Sequence, residues 1–287
     1  MTTSIKRTRL AFLALAMLLT GSLLVTTAGA GEKPDEFESA KALLDALEQA
    51  DAGIDTLTAD IQYDKFFKLQ GDVHRRKGDL KFRTTRANGG KAAKRAFEIN
   101  FNSLQIGGRK EIDPETWIFD GQWLVEMHPM RKQFVKREIA GEGAKFDPLA
   151  IGEGPMPIPI GQKADEVLAR YNAELAPATE PFGPEDDARA QFVSDTWQLV
   201  LTPRNAQGRD EKFKEIRIWY SKGGDKRLLP RMARTLSRSG DISYVQMIKV
   251  RTNVRLPERA FDVSEPPAAE NWQVQIEPLP EPDRRTP

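Results

Sequence analysis

Apolar positions recur every three or four residues in two parts of the chain, which predicts two amphipathic helices. The first helix should begin near Asp35, where Asp35 and Glu38 have the spacing of a capping pair, and should end at Gly53. A short helical turn is expected over 148–151, because Asp147 precedes a proline at the first helical position. The second helix is predicted from apolar residues at helical spacing: Ala164, Val167, Leu168, Tyr171 and Leu175.

Most of the remaining chain alternates apolar and polar residues with a period of two, the pattern of half-buried β-strands. The clearest signal is Asp120-Gly121 between two aromatic runs, because Asp-Gly favours the tight turn of a hairpin. The connections are too short for parallel crossovers, so we expect a mainly β fold with one large antiparallel sheet or barrel. The predicted strands cover 56–69, 74–84, 97–101, 115–119, 122–127, 132–138, 194–203, 213–221, 228–237, 241–251 and 272–277.

Three segments rich in proline interrupt this pattern. Residues 152–161 alternate proline with glycine and apolar residues, which excludes a regular helix or a central strand. Residues 177–188 are rich in proline and acidic side chains and are predicted to form an exposed linker. Residues 278–287 are rich in proline and charge and are predicted to be a disordered tail.

The N-terminus has the order of a secretory signal. Three cations and no acid precede an apolar run over 10–25, and the small residues Ala28 and Ala30 come before a polar stretch. This order predicts a cleavable signal peptide over residues 1–30. An uncleaved membrane anchor is the alternative, but the run is short for a span of ~20 residues.

Cleavage after Ala30 would place Gly31 at the new terminus. A bacterial lipoprotein needs a cysteine there, so we expect a soluble, exported protein without a lipid anchor, with one domain over 31–277. The whole chain carries 43 cations and 42 anions, a balance that gives no general attraction for nucleic acid.

Candidate chemistry is sparse. The sequence has no cysteine and two histidines, His74 and His128, so no spacing for a transition metal is present. Neighbouring carboxylates could serve acid–base catalysis, but each lies where a turn or linker already explains it. We therefore expect no enzyme, no metal and no cofactor. The carboxylate pairs are Asp113 and Glu115, Asp120 and Glu126, and Asp186 and Asp187.

Large apolar side chains are concentrated in the strands from Trp117 to Phe134. Either they fill an ordinary core, or they line an apolar cavity between a single sheet and a few helices. The pattern of residues leaves both possibilities open.

The chain resembles the LolA-like periplasmic carriers of outer-membrane lipoproteins from about Asp35 to Ile276. The resemblance also includes the first helix and the helical insertion in the middle of the chain. The motifs that carry it are Leu-Thr-Ala-Asp-Ile-Gln-Tyr at 57–63, Gly-Asp-Leu-Lys-Phe at 78–82, Trp-Ile-Phe-Asp-Gly-Gln-Trp-Leu at 117–124 and Trp-Gln-Leu-Val-Leu-Thr-Pro at 197–203.

The resemblance implies an unclosed barrel that is covered by the first helix and by lid helices within 141–190. Its cavity would take the acyl chains of a lipoprotein or another lipidic cargo, with a gain of ~0.8 kcal/mol per buried CH₂. A monomeric periplasmic carrier would receive cargo from an inner-membrane transporter and pass it to an outer-membrane acceptor. The expected cavity residues are Phe82, Phe97, Phe101, Trp117, Phe119, Trp123, Val125, Met127, Phe134, Leu149, Ile151, Val167 and Leu168.

In this family an arginine on an early strand holds the lid through backbone carbonyls. Arg83 matches that position by its distance from the Gly-Asp-Leu motif, and Arg95 is the alternative. The loop over 152–161 and the linker over 177–188 depart from the family pattern and indicate a divergent member. A sensor or interaction module that uses the same fold without cargo transfer is therefore the alternative function.

Overall fold

The computed structural model describes residues 37–85, 94–141, 151–152, 160–204 and 212–280. The signal peptide predicted over 1–30, the turn over 148–150 and the tail from 281 lie outside these ranges. The described strands are β1 (Thr56–Phe67), β2 (Asp72–Thr85), β3 (Lys94–Ile106), β4 (Arg109–Glu111), β5 (Glu115–Phe119), β6 (Trp123–His128), β7 (Gln133–Glu138), β8 (Tyr171–Ala176), β9 (Thr196–Pro203), β10 (Phe213–Ser221), β11 (Pro230–Ser237), β12 (Ile242–Thr252) and β13 (Gln273–Glu277).

These strands form one open sheet in the order β13-β7-β6-β5-β3-β2-β1-β12-β11-β10-β9-β8, with β4 paired to β3 beside this path. The prediction of one large unclosed sheet with a few helices is confirmed. The expectation that it is wholly antiparallel is wrong at one edge, because β13 pairs with β7 in parallel. The chain between β12 and β13 is long enough to bring β13 back in that direction.

The first helix, α1 (Ala40–Asp51), begins later than the sequence predicts. Its N-cap is Ser39, whose side-chain oxygen accepts a hydrogen bond from the amide of Ala42 at 3.2 Å. Asp35, half of the predicted capping pair, lies outside the described residues. The apolar stripe of α1 packs against the sheet through four buried residues: Ala40, Leu43, Leu44 and Leu47.

The second helix, α2 (Ala164–Arg170), is shorter than predicted. The chain turns into strand β8 at Tyr171, where the sequence predicts a helix that continues to Leu175. The reason is tertiary: Tyr171 pairs with Pro203 and Leu175 with Leu199, so β8 completes an edge of the sheet.

Residues 177–193 form a strap across the sheet. Most residues over 177–188 are exposed, as predicted, but the strap is anchored to the sheet through Phe182. The strap ends in a helix that the sequence analysis missed, α3 (Asp187–Val193). The ring of Phe182 stacks on Trp219 with centroids 5.6 Å apart, and the Trp219 indole N–H donates to the carbonyl of Ala178 at 2.7 Å. Both contacts fix the strap to the sheet.

The two faces of the sheet carry different side chains. The helix face, which packs against α1 and α2, contains two apolar clusters that include Phe82, Ile99 and Leu199, each fully buried. The opposite face carries the strap and a buried carboxylate, Asp64. Asp64 accepts two hydrogen bonds from Arg75 at 2.8 and 2.9 Å. It accepts a third from Arg189 of the strap at 2.8 Å.

Candidate functional site

Residues 160–164, here called the latch segment, cross the helix face between the end of α1 and the start of β3. Their side-chain and backbone groups bond to both elements. Ile160 is almost fully buried and belongs to the same apolar cluster as Phe82 and Phe97. The segment therefore places Ile160 in the apolar cluster on the helix face and ends at Ala164, which is also buried and is the first residue of α2.

Arg95 on β3 holds the latch segment through backbone oxygens. Its Nη1 donates to the carbonyl of Ile160 at 2.7 Å and to that of Gly161 at 3.1 Å. These are the contacts that the sequence analysis expected of Arg83. Arg83 instead lies on the opposite face, where its guanidinium is 4.7 Å from the ring centroid of Phe261.

Strand geometry explains this correction. Side chains of a strand alternate between the two faces, and Phe82 points to the helix face. Arg83, its immediate neighbour, must point away. Arg95 lies two residues before Phe97, which also points to the helix face, so Arg95 shares that face.

Two carboxylates of α1 bind the other side of the latch segment. Asp51 accepts a hydrogen bond from the amide of Gly161 at 2.7 Å. Glu48, one turn earlier, accepts one from the amide of Ala164 at 3.0 Å. Ala164 is the first residue of α2, so Glu48 satisfies an amide that has no partner within its own helix.

Gln162 ties the segment to the chain at 151. Its Oε1 accepts from the amide of Ile151 at 3.0 Å, and its Nε2 donates to the carbonyl of Ile160 at 3.3 Å. The hydroxyl of Tyr171 donates to the carbonyl of Ile151 at 3.1 Å. The described ends of the chain on either side of 153–159 are thus held together.

Burial perturbs both charged partners of Gly161. Loss of solvation raises the pKa of Asp51 from 3.8 to about 7, although the Gly161 amide and Arg95 oppose the shift. Loss of solvation also lowers the pKa of Arg95 to about 10, against the attraction of Asp51 and Glu166. Asp51 therefore titrates near neutrality, while Arg95 remains charged at that pH.

Four aromatic side chains on the sheet belong to the same apolar cluster as Ile160. The rings of Phe97 and Phe119 are 5.9 Å apart, and those of Phe101 and Trp117 are 5.7 Å apart in an edge-to-face arrangement. These side chains form an apolar surface that the latch segment helps to cover.

The structure separates the thirteen residues predicted to line one cavity. Phe82, Phe97, Phe101, Trp117 and Phe119 belong to one helix-face cluster, and Ile151, Val167 and Leu168 to the adjacent one.

A third group lies elsewhere. Val125, Met127 and Phe134 pack with Phe261 on the opposite face, and Trp123 shares their strand parity. Leu149 lies outside the described residues. One cavity on the helix face therefore cannot include all thirteen, because β6 alternates its side chains between the faces.

The sequence analysis missed Asp51 and Glu48. A signal for Asp51 was present: a carboxylate in the last turn of a helix opposes the helix dipole, which favours cations there. Such a residue is expected to have a partner that outweighs this cost. Glu48 carried no comparable signal.

At least one carboxylate of each pair considered for catalysis is engaged in another contact. Asp113 and Glu115 both bind the guanidinium of Arg76, at 2.9 and 3.0 Å. Asp120 accepts from two backbone amides in its turn. Asp186 pairs with Arg189 of the strap. Within the described residues, no three His, Asp or Glu side chains are grouped as metal ligands.

Solved structures are similar to this chain at low sequence identity. An uncharacterized conserved protein from Thermus thermophilus is 12% identical with a TM-score of 0.41, over 83% of this chain and 98% of that one. A LolA superfamily protein from Nitrosomonas europaea is 11% identical with a TM-score of 0.32, over 78% and 97%. LprF from Mycobacterium bovis is 9% identical with a TM-score of 0.38, over 77% and 97%.

One of these three solved structures is described as a LolA superfamily protein. No protein-family model and no curated protein sequence matches this chain. Among the described helices, none is both long and apolar enough to cross a membrane.

Proposed function

We propose that this chain is an exported, periplasmic carrier that binds the acyl chains of lipoproteins, or another lipidic cargo, on the helix face of its sheet. The observation that carries the proposal is the latch segment, which is held by Arg95, Asp51 and Glu48 and inserts Ile160 among aromatic side chains. An acyl chain is the ligand that fits a wholly apolar surface of this kind.

The latch supplies a way to expose that surface. Hydrogen bonds to the latch backbone can break without disturbing the sheet, because they are made by side chains of α1 and β3. Withdrawal of Ile160 would free a position in the apolar cluster that contains Phe82 and Phe97. Each CH₂ of cargo buried there would contribute ~0.8 kcal/mol, which offsets the bonds lost from the latch.

The proposed cargo surface includes fewer residues than the sequence predicts. It comprises Phe82, Phe97, Phe101, Trp117 and Phe119, with Ile151, Val167 and Leu168 beside α2. The four residues of β6 and β7 on the opposite face are not part of it. An inner-membrane transporter would load the carrier and an outer-membrane acceptor would receive the cargo, as the sequence resemblance implies.

A matched pair of arginine variants tests this proposal. A dansylated fatty acid is titrated into the wild-type protein, Arg95→Ala and Arg83→Ala, and fluorescence reports burial of the probe. We expect Arg95→Ala to bind more tightly than wild type, because opening the latch then costs less. Arg83→Ala should bind like wild type, since Arg83 lies on the other face. If folded wild type and Arg95→Ala both fail to bind the probe, the carrier proposal is wrong.

A second candidate function is a sensor or interaction module without cargo transfer. The observation that favours it is close packing: Phe82, Ile99 and Phe101 are each no more than 1% exposed on the helix face. Such a module would keep its latch closed and bind partners on its surface. Cross-linking in the cell envelope that captures one protein partner, with no lipid in the purified complex, would support the module over the carrier.

A further inference from the structure

The three most exposed large apolar side chains among the described residues lie in connections at one end of the sheet. Leu69 is 91% exposed, Ile112 is 82% exposed and Met130 is 69% exposed. Other large apolar residues counted as exposed, such as Ile276 at 45%, are about half covered. Isolated exposed apolar residues are ordinary, but three large apolar residues that are each more than two-thirds exposed at one end are not.

The strand pairing shows that these connections share one end. Phe67 pairs with Asp72, so Leu69 lies at the tip of the β1–β2 hairpin. His74 of β2 pairs with Ile106, which places the β3–β4 turn at the same end of the sheet.

The pairing of β5 with β6 shows where the third connection lies. Thr116 near the start of β5 pairs with Met127 near the end of β6. Ile112, which precedes β5, and Met130, which follows β6, are therefore at this end as well. We call residues 68–72, 106–112 and 129–132 the turn surface.

Cations outnumber carboxylates within the turn surface. The complete sequence has 43 cations and 42 anions, whereas the turn surface has five cations and two carboxylates, with Asp113 and Asp241 beside it. Its carboxylates are Asp72 and Glu111, and Glu111 is paired with Arg109 at 2.8 Å. The five cations are Lys68, Arg109, Lys110, Arg131 and Lys132.

We propose that the turn surface docks the protein on an anionic lipid bilayer, with Leu69, Ile112 and Met130 inserted among the headgroups. Apolar side chains beside cations suit a lipid interface, because buried apolar area and attraction to anionic lipids both contribute to binding there. A protein partner would instead favour a contiguous apolar patch with a packed centre. The surrounding cations match anionic headgroups, and each cation near such a surface strengthens binding about fivefold, which corresponds to about 1 kcal/mol.

This docking goes beyond cargo binding and does not depend on it. The helix face and its latch are built from α1, β3 and α2, whereas the turn surface uses connections between other strand ends. Docking would bring a carrier to a bilayer before any cargo moves. It would equally place an interaction module at a membrane.

Flotation with lipid vesicles tests the docking proposal without any acyl cargo. The full mature protein is mixed with vesicles of two parts phosphatidylcholine and one part phosphatidylglycerol. The test variant combines Leu69→Ser, Ile112→Ser and Met130→Ser. The control combines Val274→Ser and Ile276→Ser, two exposed apolar residues of the edge strand β13. We expect binding to fall by about tenfold or more in the triple variant and to stay unchanged in the control.

Variants that remove charge provide a second test of the docking proposal. Lys110→Gln with Arg131→Gln should weaken binding to the anionic vesicles by about tenfold to thirtyfold. High salt should weaken it as well, and pure phosphatidylcholine should bind little protein. Equal binding of wild type to neutral and anionic vesicles, or no binding to either, would overturn the proposal.

The absence of cysteine from the sequence allows a local probe. Leu69→Cys or Val274→Cys, each labelled with an environment-sensitive dye, provides a single reporter. The dye at Leu69 should shift to shorter wavelength when anionic vesicles are added, while the dye at Val274 should not. Matching shifts at both positions would mean general adsorption and would contradict docking through the turn surface.

Discussion

The strap and the latch segment cross opposite faces of the same sheet, and they are held in different ways. The strap is fixed by the stacking of Phe182 on Trp219 and by Arg189, which bonds to the buried Asp64. The latch segment is fixed by two buried apolar side chains, Ile160 and Ala164, and by polar contacts from α1 and β3 to its backbone.

The strap combines aromatic burial with charges removed from solvent. The guanidinium of Arg189 also lies 4.5 Å from the ring centroid of Tyr244 and 5.3 Å from that of Phe66. Separating the strap would expose these rings and leave Asp64 short of a partner. These costs keep the strap closed.

The latch segment depends on fewer apolar contacts. Its amides and carbonyls would bond to water after opening, so the net loss per hydrogen bond is modest. The comparison teaches that hydrogen-bond number alone does not decide which segment opens. The buried apolar area and the buried charge beneath each segment decide it.

The largest expected effect comes from breaking the strap's ionic contact. Asp64→Ala removes a carboxylate that is 1% exposed and that binds both Arg75 and Arg189, so that Arg189 keeps only Asp186 as a charge partner. We expect a loss of about 3–5 kcal/mol in the free energy of unfolding, as for other broken buried ion pairs. Urea denaturation followed by circular dichroism measures it, and a loss below about 1 kcal/mol would contradict the role given to Asp64.

A smaller and more local effect is expected from the latch. Arg95→Ala removes two charge-assisted hydrogen bonds to backbone carbonyls, at a cost of about 2 kcal/mol to latch closure. Hydrogen exchange at the amides of Gly161 and Ala164 should accelerate by about thirtyfold.

Arg83→Ala is the control for this prediction and should leave both amides unchanged. The urea midpoint of Arg95→Ala should move much less than that of Asp64→Ala. Equal falls in both midpoints would show that the latch unfolds only together with the sheet.

The pH response of the latch is expected to be smaller again. The pKa of Asp51 is about 7 when the latch is closed, and its ordinary value of 3.8 applies once solvent reaches it. The closed state therefore holds a proton more firmly, so protonation favours closure, and opening increases as pH rises through 7. From about pH 6 to about pH 8 the closing free energy should weaken by about 1.4 kcal/mol.

Hydrogen exchange at Ala164, corrected for intrinsic rates, measures this response at a series of pH values. Asp51→Asn keeps an oxygen that can accept from Gly161 but carries no charge, so its protection should not vary over this range. Protection of the wild-type amide that increases with pH would show that attraction to Arg95 outweighs the burial of Asp51.

The smallest expected effect is the loss of an exposed ion pair, with which the effect of Asp64→Ala can be compared. Asp60 lies on β1 four residues before Asp64 and pairs with Lys249, but its side chain is 53% exposed. Asp60→Ala should change the free energy of unfolding by less than about 0.5 kcal/mol, because solvent screens exposed ion pairs. A loss comparable to that of Asp64→Ala in the same denaturation series would remove burial as the explanation.

Local patterns predicted the sheet well. Strand β10 was predicted over 213–221 and occupies Phe213–Ser221, and the Asp120-Gly121 turn joins β5 to β6. These signals are carried by neighbouring residues, so a single sequence contains them. Tyr171 and Leu175 show the limit, because their four-residue spacing fits a helix and also one face of a strand. Pairing with β9 decides between the two.

The candidate site was harder to predict from the sequence than the sheet. Arg83 was chosen by distance from a motif, whereas the alternation around Phe82 and Phe97 already favoured Arg95 for the helix face. The role of Asp51 depends on Gly161, which is more than a hundred residues away along the chain. A contact of that separation leaves no periodic trace in a single sequence.

The pairing of β1 with β12 has a consequence for how the chain folds. Leu57 of β1 pairs with Thr252 of β12 in the middle of the sheet. Strand β1 is synthesised early, and it cannot complete its pairing until β12 has been synthesised. Contacts of such long sequence separation slow folding, because the intervening chain must close a large loop first. Until β12 emerges, β1 and β11 present open edges that can pair with other chains. Chains that end before residue 242 should therefore aggregate rather than form a smaller stable domain.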